Sequence, residues 1–260
     1  MRSTTSNCRN PNSEIRRRAA RSVCFAAALG LGLFGVAAGA KAQGLPPLAK
    51  ELNPAETALI LVDFQYPFTN PDGANYHNIQ KELQDKDLLN KTVDLVKKAR
   101  SLGVLVVHIT EGYTGDYREV DATNPGGFHR GQILRQAWKT GTRETSYYPP
   151  LAPGDGDKDL FLPPRIQTSA FGGTGLDQIL RSKGIKNVAV GGFTTDVCDY
   201  ATVTSAYDLG YHVYALKDAM ASYFPEQGEL MLKNTYPMWS KVLSNEQWLA
   251  MFGMSQKTER

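Results

Sequence analysis

Three stretches of this chain, residues 57–62, 104–109 and 188–191, run almost without a polar side chain. A strand with one wet face alternates apolar and polar residues, so runs lacking that alternation need cover on both faces. Helical periodicity fills the intervals and predicts helices over 78–101, 130–138, 176–183, 196–209, 226–235 and 245–252. Further strands are expected at 211–216 and, as a short edge, at 241–243. Strands alternating with helices over residues 57–260 predict one α/β domain built on a mostly parallel sheet. Residues 43–56 read as an extended lead-in. Residues 111–164, rich in Gly, Pro, Tyr and Asp, are long for a plain connection. Their tyrosines (Tyr113, Tyr117, Tyr147, Tyr148) are expected to form a wall or lid over a pocket.

Residues 1–42 are of another kind. They hold seven basic side chains against one acid, an uncharged span over 22–40, and the small-x-small ending Ala40-Lys41-Ala42. A basic head, an apolar middle and a small-residue end describe a secretory signal peptide. Export to the periplasm or beyond is therefore expected, with no stable membrane association once the leader is removed. The whole chain carries a formal charge of +3, but the 218 residues after position 42 hold 22 basic and 25 acidic side chains, a net of −3. That balance leaves no electrostatic footprint for nucleic acid. Cys8 and Cys24 fall in the leader, so Cys198 has no partner for an internal disulfide in the mature chain.

In open parallel sheets, ligands bind beyond the carboxyl ends of the strands. That rule selects Asp63-Phe64-Gln65, residues 108–111 and residues 192–198. The last segment is the most informative. Paired glycines break an apolar strand, the chain turns, and a helix begins with Thr195 as its expected N-cap. Cys198 then lies in the first helical turn. Unpaired N–H groups and the helix field there favour a thiolate and can hold an oxyanion. A lone cysteine is also a common small hydrophobe, and an Asp at a strand end commonly caps a turn. A catalytic role depends on the two meeting in one crevice.

Taken together, Asp63-Phe64-Gln65, residues 165–174 and residues 191–198 resemble the isochorismatase-like cysteine hydrolases, with the likeness running from about residue 57 to the end. The resemblance implies a three-layer, doubly wound α/β/α sandwich and hydrolysis through an Asp–Lys–Cys triad. By position, Asp63 becomes the general base and Cys198 the nucleophile. The N–H groups of Thr194 and Cys198 line an oxyanion hole, and a cis peptide joins Phe193 to Thr194. The family lysine falls at Arg165, which keeps the positive charge but does not share a proton. Homo-oligomers are also implied.

Phe64, Gln65, Phe68, His108, Tyr113, Phe171 and Phe193 are expected to line the pocket, with Gln65 supporting the loop rather than reacting. Zinc-binding members of the family use an Asp-x-His pair and a later histidine. Thr69-Asn70-Pro71-Asp72-Gly73 lacks that pair, and His77, His108, His129 and His212 show no ligand spacing. No metal or other cofactor is expected, and His212 is expected to pack under a helix. The expected activity is hydrolysis of a small amide, imide or ureido carbonyl through an acyl-enzyme. Two alternatives stay open: a non-catalytic small-molecule binder on the same fold, and an ether hydrolase that needs no nucleophilic cysteine.

Overall fold

The first apolar run is buried along its whole length and forms an inner strand, β1 (Thr57–Val62), in the computed structural model, which describes residues 51–253. Five more strands follow: β2 (Leu105–Ile109), β3 (Leu160–Phe161), β4 (Asn187–Phe193), β5 (His212–Ala221) and β6 (Lys241–Leu243). They form one sheet in the order β3-β2-β1-β4-β5-β6, and every pairing is parallel. The helices are α1 (Tyr66–Thr69), α2 (Tyr76–Asp85), α3 (Leu88–Ser101), α4 (Gly126–Arg135), α5 (Leu176–Ser182), α6 (Cys198–Asp208), α7 (Pro225–Asn234) and α8 (Asn245–Ala250). The expected leader and most of the lead-in lie outside the described residues. Among the described residues, no helix is long and apolar enough to cross a membrane.

Side chains alternate across a strand, and this splits the core in two. Leu59 and Leu61 join Leu88, Leu95 and Trp248 on the face covered by α3 and α8. Ala58, Ile60 and Val62 join Leu176, Leu180, Val203 and Leu232 on the face covered by α5, α6 and α7. The result is the expected three-layer sandwich. The chain leaves β1 for β2 on one side and later reaches β4 on the other, so strand order reverses at β1. A crevice opens at such a switch point, beyond the carboxyl ends of β1 and β4. Gly192 lets the two strands close on each other there, because a Cβ at that position would lie 2.1 Å from the Val62 carbonyl oxygen.

Several boundaries depart from the sequence pattern. The helix expected over 78–101 is two, because Asp87 adopts a left-handed conformation (φ 48°) between α2 and α3. Its Oδ1 accepts a hydrogen bond from Asn90 Nδ2 at 2.8 Å, a local bond that helps Asp tolerate this geometry. The helix expected over 130–138 runs instead over Gly126–Arg135, and Gln136 and Trp138 beyond it are left-handed. β3 has no counterpart among the expected strands; two residues on a sheet edge carry no readable period.

Candidate active site

Asp63 follows β1 directly. Its backbone is left-handed (φ 57°), and its N–H donates to the Ile109 carbonyl at 2.9 Å. A non-glycine residue held in that region at the end of a buried strand is a mark of functional sites. Beyond β2, the Arg165 N–H donates to Thr110 O at 3.0 Å and the Gly112 N–H donates to Arg165 O at 2.9 Å. This pairing extends the sheet by one step and sets Glu111 beside Arg165. From the other side of β1, β4 delivers the chain to a cis Phe193–Thr194 peptide and then to Cys198, the first residue of α6.

These four side chains meet. The Arg165 guanidinium donates to both Asp63 oxygens, at 2.7 and 3.1 Å, and to the carbonyls of Thr168 (2.9 Å) and Ser169 (3.1 Å). The Cys198 thiol donates to Glu111 Oε2 at 3.8 Å, and the Tyr113 hydroxyl donates to Glu111 Oε1 at 2.6 Å. One oxygen of Asp63, one of Glu111 and the Cys198 sulfur lie within 4.8 Å of one another. Exposures of 1% (Asp63), 0% (Glu111), 3% (Arg165) and 4% (Cys198) put the group out of bulk solvent. The thiol is buried among charged and polar groups, so it is more than a filler of apolar space.

Burial, and then the charge of Asp63, raises the Glu111 pKa to about 8. Burial, followed by the charges of Asp63 and Glu111, pushes the Cys198 thiol well above its ordinary value. Both effects work against the thiolate expected at the helix mouth, opposing the helix field there. Thr195 is not the N-cap either. That position is Val197, which makes no capping bond, and Thr195 uses its backbone to donate to Ala221 O and accept from Tyr236. Among the described residues, the N–H groups of Thr194 and Cys198 make no hydrogen bond, whereas the Thr194 carbonyl accepts from Val197 and Asp199.

The expected pocket residues divide. Phe64 and Phe68 both pack on Phe193, with ring centroids 4.8 and 5.2 Å away, and all three are buried. They form a solid aromatic wall. Gln65 supports the site as expected: its Oε1 accepts from the Glu111 N–H at 2.8 Å, and its Nε2 donates to Glu111 O at 3.2 Å. Tyr113 touches Glu111. His108 does not join them and is corrected. The two-residue period of β2 turns it to the α3 face, where its Nε2 lies 2.6 Å from Asp159 Oδ2, an acid also bound by Arg100. Phe171 is corrected as well, since it packs on Tyr211, whose hydroxyl bonds Asp177 in α5. His212 is exposed, and its Nδ1 lies 3.2 Å from Asn187 Oδ1.

Glu111 is the residue that the sequence left without a role. Its signal was its place, two positions past a buried strand and on the selected edge. Asp63, Glu111 and Cys198 form a donor cluster, but it fits a metal ion poorly, because the Arg165 cation already occupies both Asp63 oxygens. No histidine enters the cluster among the described residues. A cavity of about 500 Å³ at the amino end of the sheet, lined by Ala55, Arg100, Leu105 and Asp159, gathers none of these residues.

The raised Glu111 pKa has a stability consequence. Folded, Glu111 keeps its proton up to about pH 8; the ordinary value is 4.5. Between those values the folded chain holds more protons than the unfolded one, so rising pH favours unfolding. The melting temperature is expected to fall by several degrees from about pH 5.5 to about pH 8. Glu111→Gln should flatten that fall in scanning calorimetry.

Comparison with known proteins places this arrangement. A family model described as the isochorismatase domain matches residues 57–247. The ureidoacrylate amidohydrolase RutB of Rhizobium rhizogenes is 29% identical over 184 residues, which are 65% of this chain and 71% of that protein. The isochorismatase family protein YecD of Escherichia coli O157:H7 is 28% identical over 204 residues, covering 76% of this chain and 97% of its own. Among solved structures, a cysteine hydrolase from Pseudomonas syringae pv. phaseolicola superposes with a TM-score of 0.66 at 22% identity, over 78% of this chain and 94% of that one. The switch-point crevice, the acid at the end of β1 and the cysteine opening α6 are thus features of a chain that belongs to the isochorismatase-like cysteine-hydrolase superfamily.

Proposed function

We propose that this protein hydrolyses a small ureido, amide or imide carbonyl through a Cys198 acyl-enzyme. One observation carries the reading: a buried thiol donates to a carboxyl group beside an Asp63–Arg165 pair, at the crevice where this fold binds ligands. The ureido option draws on the relatives named ureidoacrylate amidohydrolase. Cys198 loses its proton to an acid of the cluster and attacks the carbonyl carbon. The oxygen takes the negative charge and is met by the N–H groups of Thr194 and Cys198. The nitrogen leaves with a proton, and water then releases the acyl group. On the charge pattern of residues 1–42, we place this activity outside the cytoplasm.

The test pairs native iodoacetamide labelling, read by intact mass, with a panel of an N-carbamoyl amino acid, nicotinamide and hydantoin. A single adduct at Cys198 and turnover of at least one compound are expected. Binding without turnover, by the wild type and by Arg165→Lys alike, favours a binding protein on this fold. An unlabelled Cys198 sinks the hydrolase reading.

A further inference from the structure

We infer that Glu111, rather than Asp63, carries the proton of the Cys198 thiol, and that Tyr113 and His129 connect that carboxyl to solvent. The inference rests on the hydrolase reading of the same site. Asp63 is locked: both its oxygens accept from a guanidinium that is itself tied to two main-chain carbonyls. Arginine does not give up a proton in exchange. Glu111 is placed differently. Its Oε2 is the acceptor of the thiol, and its backbone is clamped on both sides by Gln65, which holds the carboxyl in register with the sulfur.

The other carboxyl oxygen leads outward. The Tyr113 hydroxyl lies 2.6 Å from Glu111 Oε1 and 3.0 Å from His129 Nδ1, and His129 sits half-buried on α4. Burial and the neighbouring Glu111 hold Tyr113 against ionisation. Its hydroxyl therefore relays by taking one proton as it passes another on. A proton on Oε1 moves to the tyrosine oxygen while the tyrosine proton moves to Nδ1, and the reverse motion reloads the acid. The groups facing Glu111 are Asp63 after β1, Arg165 after β3, Cys198 at the start of α6, and Tyr113. Asp199 lies behind Cys198, and burial raises its pKa too.

The steps balance. As the sulfur bonds to the carbonyl carbon, its proton moves to Oε2 and the C=O pair moves onto oxygen. As the C–N bond breaks, Oε2 returns that proton to the departing nitrogen. Water then gives one proton to Glu111 and its oxygen to the acyl carbon; sulfur leaves and recovers the proton. Amide and water become acid and amine, and Glu111 ends ionised as it began, its resting proton having left beforehand from Oε1 through Tyr113 to His129.

The pH dependence of Cys198 alkylation by iodoacetamide tests the first part without a substrate. In the wild type the rate is expected to rise through about pH 8, with the ionisation of Glu111. In Glu111→Gln that rise should move upward by about one pH unit or more, because the thiol has lost its acceptor. An acid that merely repelled the thiolate would, once removed, shift the rise downward. A downward shift, or none, overturns the proposal and leaves the hydrolase reading standing. A Cys198 that is never alkylated removes both.

Turnover of 4-nitrophenyl acetate tests the relay, because 4-nitrophenolate leaves without taking a proton and Glu111 must then discharge outward before it can accept one from water. Tyr113→Phe and His129→Ala are each expected to lower kcat about tenfold with KM unchanged, and free imidazole should restore His129→Ala. Losses that imidazole does not repair, with the pH profile unmoved, overturn the relay.

Discussion

Replacing Cys198 with serine is expected to reduce turnover of any carbonyl substrate about a thousandfold or more, with the fold intact. Serine matches the shape of cysteine but not its acidity, and at this site the difference is decisive. The sulfur is opposed by burial and by two acids, so only a side chain that ionises with comparative ease can be driven to react there. A hydroxyl facing the same Glu111 would keep its proton. The effect belongs in kcat rather than KM, because the sulfur acts at the transition state more than in binding. Circular dichroism and thermal melting should show Cys198→Ser and Cys198→Ala near wild type, since each changes one small side chain. A serine variant retaining a tenth of wild-type turnover would mean that the reaction runs without this nucleophile, as in an ether hydrolase.

The largest stability effect is expected from Arg165→Met. Methionine fills much of the same space but leaves the Asp63 carboxyl buried without its cation, and it frees the carbonyls of Thr168 and Ser169 from their donors. Breaking a buried ion pair from one side costs about 3–5 kcal/mol, a large share of the stability of an ordinary domain. Urea titration should show a clearly lower midpoint. Arg165→Lys restores the residue that the family resemblance implies. It should fall between the wild type and Arg165→Met, because one ammonium cannot reproduce the two-pronged contact with Asp63 and also reach both carbonyls. If Arg165→Met melts like the wild type, the pair contributes nothing net and the site is more hydrated than its burial indicates.

The departures of the structure from the sequence pattern trace to specific contacts. β1, β2 and β4 were legible because strands covered on both faces leave unbroken apolar runs, and their ends then located Asp63 and Cys198. β3 was not legible: it is two residues long, its Phe161 is 41% exposed, and it exists by pairing to β2 rather than by any pattern of its own. His108 and Glu111 sit three positions apart on one strand and its extension, yet the wrong one drew attention. Histidine advertises chemistry, but strand alternation sends His108 toward Arg100 and Asp159. Glu111 gains its role only from burial, from the thiol opposite it and from Gln65, none of which is local in sequence. The opposition to a thiolate at Cys198 was hidden for a related reason. A helix terminus can be read from neighbouring residues, whereas the desolvation that opposes it is contributed by the whole fold.

β3 runs parallel to β2, so the long excursion between them leaves the sheet at one end and re-enters it at the other. Only after β3 does the chain climb back to set Arg165 beside Glu111. The acid and the guanidinium thus share a rung although the whole excursion separates them along the chain. A nick in that excursion leaves both severed ends stitched into neighbouring strands, so a clipped molecule is expected to hold its acid and its guanidinium together.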